Sequence, residues 1–470
     1  MNLLKTILQS ILELLEIKSK NTELTNILIL IKIPTQMNRF CPIITISLFV
    51  ILCSCRTETK TVAPVEKYQF AEPAEVGMIA DSLAKIDNMV MEFVEAKKYP
   101  GAVTLVAKNG KIIYESEVGW SDSSRTEPYR KDHLFRMASM TKPLVSVAAM
   151  QLIESGEMKL DDPVGKYIPS FNETEVLTNF NPADTTWTST PSISVPTVRQ
   201  LLTHTAGVPY GFMNPPVNGA ILAKQGIPDL STHLPMTIEE TTDKLGNLPL
   251  MHEPGAKWMY GLNTDVLGRV VEVVSGQKLD DYIREHITKP LGIEKLDFYF
   301  NDSLTTNLTK IFVPTQNGTA AQAPIEMGTM YMANYPTQGA KTYLSGGSGM
   351  TGTARDYFLF CQAMLNDGAL GDARILKAET AQIMHKDQID TVSYPWGTAR
   401  FGFGFDVAKN HPHRPDGTYS WSGAFSTTFW IDPANEIIVI QLRQVLSSPD
   451  NGAINSKLEE IVYGALNKKD

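Results

Sequence analysis

Cysteine is scarce: four occur in 470 residues, and three of them, Cys41, Cys53 and Cys55, fall in one short N-terminal apolar segment, leaving Cys361 alone in the body. A disulfide framework is therefore excluded for the folded part. There is no Lys/Arg block; 42 basic and 51 acidic residues give a net charge of −9, so the electrostatic footprint of a nucleic-acid binder is missing. None of the eight histidines stands in a His-x-x-x-His or Cys/His pattern, so no metal is called for. Nothing in the sequence asks for a cofactor either. With 43% hydrophobic and 20% charged residues, the composition is that of a globular protein and excludes both wholesale disorder and a multispanning membrane protein.

What is present begins at the N-terminus. From Met37 the chain reads Met-Asn-Arg-Phe, then an apolar run from Cys41 to Cys53, then Leu52-Cys53-Ser54-Cys55. This is a short basic start, an apolar stretch too short to span a bilayer comfortably, and small residues before a cysteine. It resembles a bacterial lipoprotein signal over 37–55 with Cys55 as the lipidated first residue, a plain secretory signal being the alternative. The expectation is an exported chain at the cell envelope, periplasmic or on the outer membrane, held to the membrane by a lipid anchor. Upstream, residues 1–36 carry Leu4, Ile7, Leu8, Ile11 and Leu15 at helical spacing. They precede a self-sufficient signal, so translation is expected to begin at Met37. Residues 56–74 read as a polar tether.

The folded body is expected over 75–465. Asp81 caps a helix whose apolar residues Leu83, Ile86, Met89, Val90 and Phe93 follow the 3.6-residue period until Tyr99-Pro100-Gly101 ends it. The β-branched and aromatic runs 103–107 and 112–114 are joined by Asn109-Gly110, which predicts a tight hairpin. At the far end, runs 427–431 and 437–442 flank Asp432-Pro433-Ala434-Asn435, and 458–466 reads as a closing amphipathic helix. Between 135 and 384 the predicted elements are helices (144–154, 264–274, 279–287, 354–366 and 376–384) joined by long Pro/Gly/Asn-rich stretches such as 171–197 and 301–342. Loops of that length carry function or wall a cleft. The fold class expected is α/β (α+β): an antiparallel sheet flanked by helices and built from both termini, about 75–134 and 385–465, with a mainly helical inserted part at about 135–384.

Ser-x-x-Lys occurs at Ser82/Lys85, Ser139/Lys142 and Ser275/Lys278, and context separates the three. Ser275 is followed by Gly276, where a helix ends, so its lysine leaves the helical register. Ser82 opens the first helix, where a capping serine and a solvated lysine suffice. Ser139 differs, because Pro143 is tolerated only near a helix start and 144–153 is apolar almost all round. Ser139 thus stands at the N-terminus of a buried helix, with Lys142 projecting from the same face. A hydroxyl needs a base in reach and an environment that favours developing negative charge; a desolvated lysine has a lowered pKa, and a helix N-terminus adds positive potential. Tyr260, between Pro254-Gly255 and a helix starting near Asn263, reads as a loop residue aimed into a cleft.

Four ordered blocks then carry a resemblance. Phe135-Arg136-Met137-Ala138-Ser139-Met140-Thr141-Lys142 resembles the nucleophile motif of the serine β-lactamase and penicillin-binding-protein superfamily, in particular class C β-lactamases and the related family VIII carboxylesterases. Leu201-Leu202-Thr203-His204-Thr205-Ala206-Gly207 is similar to the segment between their first two motifs. Pro254-Gly255, Trp258-Met259-Tyr260-Gly261 and Asp265-Val266-Leu267-Gly268 resemble the block holding the second, and Trp421-Ser422-Gly423-Ala424-Phe425 the third. The resemblance spans roughly residues 75–465 and implies a β-lactamase/transpeptidase-like fold. It implies that Ser139 is acylated while Lys142 and Tyr260 move the proton. It further implies that the N–H groups of Ser139 and Ala424 form the oxyanion hole, with Ala424 placed by the Gly423 turn beside an edge strand, and that Trp421, Ser422, Gly423 and Asn263 surround the substrate.

Two departures from the class C pattern narrow the substrate. Where those enzymes have Tyr-x-Asn, the third position here is Leu262 and the asparagine falls one later, at Asn263; the amide that binds a β-lactam is displaced. Where they have Lys-Thr-Gly, Trp421-Ser422-Gly423 puts an aromatic in place of the lysine that helps bind a substrate carboxylate. The resemblance therefore implies a carboxylesterase for small uncharged esters. The alternatives are a β-lactamase or D-alanyl-D-alanine carboxypeptidase/amidase on cell-wall-type peptides and, in another class, a non-catalytic lipoprotein that binds peptidoglycan or a partner. Of the remaining candidates, His204 reads as a hydrogen-bonding loop residue, and Gly346-Gly347-Ser348-Gly349 as a Gly-rich turn, since the final glycine of Gly-x-Ser-x-Gly is missing. Met327, Met330 and Met332 read as loop packing, contact with a ligand being the alternative.

Overall fold

Asn109 and Gly110 both adopt positive φ, 52° and 75°, the left-handed pair that a two-residue turn between right-twisted strands requires. They join β1 (Gly101–Lys108) to β2 (Lys111–Gly119) as the sequence predicts. In the computed structural model, which describes residues 67–395 and 399–467, this hairpin is completed into a seven-stranded sheet by five strands from the C-terminal part. These are β3 (Arg400–Phe401), β4 (Asp406–Val407), β5 (Tyr419–Ser422), β6 (Thr428–Asp432) and β7 (Ile437–Leu442). The order across the sheet is β3-β4-β5-β6-β7-β1-β2, with every neighbouring pair antiparallel. Residues 1–36, the signal at 37–55 and Cys55 lie outside the described residues. Among the described residues, no helix is long and apolar enough to cross a membrane.

Five helices position the rest: α1 (Lys85–Glu95), α2 (Thr141–Glu154), α3 (Asn263–Ser275), α4 (Ala354–Leu365) and α5 (Asn451–Gly464). The two-residue period of a strand sorts the sheet's side chains between two buried faces. Ala102, Val106, Trp430, Ile437 and Val439 pack with Ile86, Met89 and Phe93 of α1 and with Ile454, Leu458 and Val462 of α5. Their neighbours Val103, Leu105, Phe429, Ile438 and Ile440 face the other way, into the core that holds Leu144, Val145 and Ala148 of α2 and Phe358 of α4. Helix α1 needs one apolar stripe for this and has it. Helix α2 is buried at every residue from Thr141 to Met150, which is why its sequence is apolar all round.

The segment 171–197, expected as a loop, contains a hairpin, Glu175–Asn181 paired with Thr186–Pro191. Its side chains are exposed or half-buried, so the alternation that marks a strand lying on a core never develops in its sequence. The third-motif strand also differs from expectation. β5 is not the sheet edge, because β4 pairs with Tyr419 and Ser420; the pairing stops there and leaves Trp421 and Ser422 partnered by β6 alone.

Candidate active site

Ser139 sits in a single tight turn, Ala138–Met140, between the short strand Phe135–Arg136 and the first turn of α2. Pro143 is the third residue of that helix, where its missing N–H leaves nothing unsatisfied. Ala138 adopts φ 46°, a left-handed conformation that costs a non-glycine residue about 1–2 kcal/mol. Surrounding hydrogen bonds hold it there. Met137 N–H donates to the Met350 carbonyl at 2.9 Å, Thr427 Oγ1 donates to the Met137 carbonyl at 3.1 Å, and Tyr357 O–H donates to the Met140 carbonyl at 2.9 Å. Strain kept by an over-determined frame is what a pre-positioned nucleophile requires.

Two groups converge on Ser139. Tyr260 O–H donates to Ser139 Oγ at 2.6 Å, and Lys142 Nζ lies 3.2 Å from the same oxygen. The amine also reaches Tyr210 OH at 3.0 Å and the Gly347 carbonyl oxygen at 2.8 Å. A carbonyl only accepts, so one amine hydrogen is always committed to Gly347. Burial pushes Lys142 down to about 7, against the opposing pull of the Asp265 charge. Burial pushes Tyr260 up, opposed by its hydrogen bonds with Ser139 and the Trp421 indole. Near neutral pH, Lys142 is therefore the group that loses its proton and Tyr260 the group that keeps one. With a lone pair on Nζ and a proton on the phenol, Ser139 Oγ faces a base and an acid at once.

Helix α3 and a glycine-rich turn complete the cage. Asp265, in the first turn of α3, is buried and accepts from Ser345 Oγ at 2.7 Å. A Cβ on Gly347 would lie 2.5 Å from both Asp265 Oδ2 and Tyr210 OH, so only glycine lets this carbonyl reach the amine.

Gly423 plays the corresponding part on the sheet. Its N–H donates to the Thr427 carbonyl at 2.8 Å, and a Cβ there would lie 2.3 Å from the Met137 carbonyl oxygen. The end of β5 thereby rests against the nucleophile turn, with Ala424 next in the chain. The N–H groups of Ser139 and Ala424, the expected oxyanion donors, thus belong to two segments that rest against each other. Gly423→Ala is expected to push the two backbones apart and to lower kcat by about 10²–10³-fold, the loss typical of one oxyanion donor. Steady-state ester kinetics check this, and a kcat within a factor of about three of wild type contradicts it.

The remaining expected residues divide. Trp421 is buried with its ring 5.6 Å from Tyr260 and 5.4 Å from Phe401, so it braces the phenol as well as walling the site. Ser422 is exposed beside it. Asn263 does not line a pocket: it is fully buried, and its amide donates to His204 Nδ1 at 3.0 Å and to the Val208 carbonyl. The one-residue displacement from the Tyr-x-Asn pattern puts it in the first turn of α3, facing the 204–208 loop. His204, kept neutral by burial, lies with its ring tilted 5.0 Å from that of Tyr260 and belongs to the packing. At the competing Ser275, the hydroxyl donates to the Val271 carbonyl at 2.7 Å, a helix-end bond. Tyr210, Asp265 and Gly347 were absent from the expected site. Tyr210 follows the Leu201–Gly207 block by three residues and Asp265 lies inside the second-motif block, but nothing local marks either as a partner of Lys142.

Residues 86–461 match the family described as Beta-lactamase. The chain belongs to the Beta-lactamase family. Its β-lactamase/transpeptidase fold, with the sheet built from both ends of the domain, is the one expected. Within the Beta-lactamase family the chain is similar to Esterase EstB of Burkholderia gladioli, at 29% identity over 413 residues covering 83% of this chain and 98% of EstB. It is also similar to a putative D-alanyl-D-alanine carboxypeptidase of Escherichia coli O157:H7, at 27% identity over 410 residues covering 81% and 86% of the two chains. Among solved structures, that of EstCE1, a hydrolase with promiscuous acyltransferase activity, shares 28% identity at a TM-score of 0.69, covering 82% of this chain and 99% of EstCE1. This member of the Beta-lactamase family is a serine hydrolase.

Proposed function

We propose that this serine hydrolase is a carboxylesterase for small uncharged esters, acting through an acyl-enzyme on Ser139. The observation that carries the proposal is the convergence of Tyr260 O–H and Lys142 Nζ on Ser139 Oγ, at 2.6 and 3.2 Å, beside a strand where Trp421 replaces a carboxylate-binding lysine. In acylation, neutral Lys142 takes the Ser139 proton as Oγ attacks the ester carbon, and the carbonyl oxygen gathers charge between the amides of Ser139 and Ala424. The carbon–oxygen bond to the alcohol breaks as Tyr260 gives it a proton. In deacylation the roles reverse: the Tyr260 phenolate takes a proton from water, which attacks the acyl carbon, and the Lys142 ammonium returns its proton to Ser139 Oγ. Protons and charge balance over the cycle.

Because the neutral amine is the active form, kcat/KM is expected to rise with pH through about 7 and to fall about tenfold per unit below that limb. A profile that is flat between about pH 5 and about pH 8 removes Lys142 as the base.

The substrate class is tested by comparing p-nitrophenyl acetate with nitrocefin and with a D-alanyl-D-alanine peptide. Turnover of the ester with little of the others is expected; β-lactam or peptide cleavage without ester cleavage transfers the chain to the second reading, which similarity to the carboxypeptidase favours. Absence of fluorophosphonate labelling moves it to the binding proteins. Within the same proposal the chain is tethered to the cell envelope through lipidated Cys55, a reading supported by the 37–55 pattern. Fatty-acid labelling in the producing cell should disappear in Cys55→Ala, and its persistence there rules the tether out.

A further inference from the structure

A largely apolar cavity of about 340 Å³ is walled by Leu222, Ile227, Met327, Met330, Tyr331 and Leu446. Three connections tie it to the catalytic groups. Met327, Tyr331 and Leu446 pack in one cluster with Ala138 and Ala424, the residues that flank Ser139 and supply the second oxyanion donor. Ser231, on the cavity wall, has its hydroxyl 3.4 Å from Ser348 Oγ, next to the glycine whose carbonyl holds Lys142. Asp229, also on the wall, accepts from the N–H groups of Gly211 and Phe212, the residues that follow Tyr210.

Large apolar side chains are also exposed on neighbouring segments of the chain. Phe212 is 47% exposed although its ring stacks 4.7 Å from Tyr210 and lies 6.5 Å from Tyr260. Met213 is 44% and Ile325 56% exposed, on the two loops that also supply cavity residues or their neighbours. Large apolar side chains left in water around a concave site mark where a ligand covers them. No lysine or arginine lines the cavity, and the carboxylate of Asp229 is turned onto two loop amides, so nothing there neutralises an anionic group. Methionine side chains adapt to chains of different shape.

We infer that this cavity receives an uncharged, flexible apolar chain of the ester, which makes the enzyme selective for medium-chain over acetyl or methyl substrates. The inference rests on the esterase reading above and names its substrate class. The chain belongs to either the acyl or the alcohol half of the ester, and two substrate series separate these sources. The acyl series is p-nitrophenyl acetate through decanoate; the alcohol series is methyl through decyl acetate, followed by proton release. In one series kcat/KM is expected to rise about fourfold per methylene over the first several carbons, the factor for moving one methylene out of water, and to stay level in the other. Ala223 lines the cavity from an exposed position, so Ala223→Val, Ala223→Leu and Ala223→Phe add bulk to the cavity without entering the core. In the favoured series these variants are expected to shift the optimum to progressively shorter chains, and the ratio of octyl-length to two-carbon substrate should fall about tenfold in Ala223→Phe. A level response in both series, or an optimum that Ala223→Phe leaves in place, overturns the inference while Ser139-dependent acetate hydrolysis keeps the esterase reading. Loss of all ester hydrolysis in the wild-type chain removes both.

Discussion

Ser139→Ala lowers ester kcat/KM by about 10⁴-fold or more, Lys142→Ala does so by about 10³–10⁴-fold, and the double variant is no slower than the worse single one. The physical basis is that the two residues act as a unit. The hydroxyl is inert without a base, and the lysine, 3.2 Å from Oγ, has no proton to take once the hydroxyl is gone. Lys142→Ala also removes the one side chain among the described residues that both contacts Ser139 Oγ and titrates near pH 7, so the acid limb disappears from the residual activity. The measurement is a full set of steady-state profiles for the wild type and three variants, with circular dichroism to establish folding. Additive losses, with the double variant slower by the product of the single factors, mean that serine and lysine serve separate steps.

Tyr260→Phe distinguishes the two ways a buried phenol can serve. The phenol is held protonated by burial and donates to Ser139 Oγ at 2.6 Å, so it is assigned to protonation of the leaving alcohol. Loss of a positioned acid costs about 10²–10⁴-fold where the leaving alkoxide is strongly basic and much less where it is stable without a proton. Phenylalanine should therefore cost about 10³-fold with an alkyl ester but only about tenfold with a p-nitrophenyl ester, whose leaving group needs little help. An equal loss on both substrates makes Tyr260 the base for Ser139 and returns Lys142 to a supporting role. The ring is packed between Trp421, Trp258 and His204, so removing one oxygen leaves the packing intact and the comparison clean.

Much of this site was legible because its signals are local. The choice of Ser139 among three Ser-x-x-Lys pairs follows from Pro143 and the apolar stretch after it, and the helix Thr141–Glu154 lies where they indicate. Asn109-Gly110 fixes the hairpin because only a few residue pairs tolerate two left-handed positions in a row. Residues invisible in the sequence act through tertiary contact alone. Tyr210 lies 68 positions from Lys142 and Gly347 lies 205 away, and each joins the amine only after the loops have docked. Asn263 misled for the same reason: a one-residue offset in a motif is small on paper but, at the start of a helix, turns a side chain toward a different neighbour. The hairpin 175–191 was hidden because strands that bury neither face carry no alternation.

Covalent attachment at Ser139 is the step on which the account stands. The protein is mixed with an ester in excess, quenched in acid within the first turnovers, and digested, and the peptide containing residue 139 is weighed. The account predicts that this peptide gains the mass of the acyl group minus one hydrogen, that the modification maps to Ser139, and that the adduct decays at the rate of turnover. Steady release of acid with no adduct in wild type, or an adduct of the same kinetics on another residue, contradicts it.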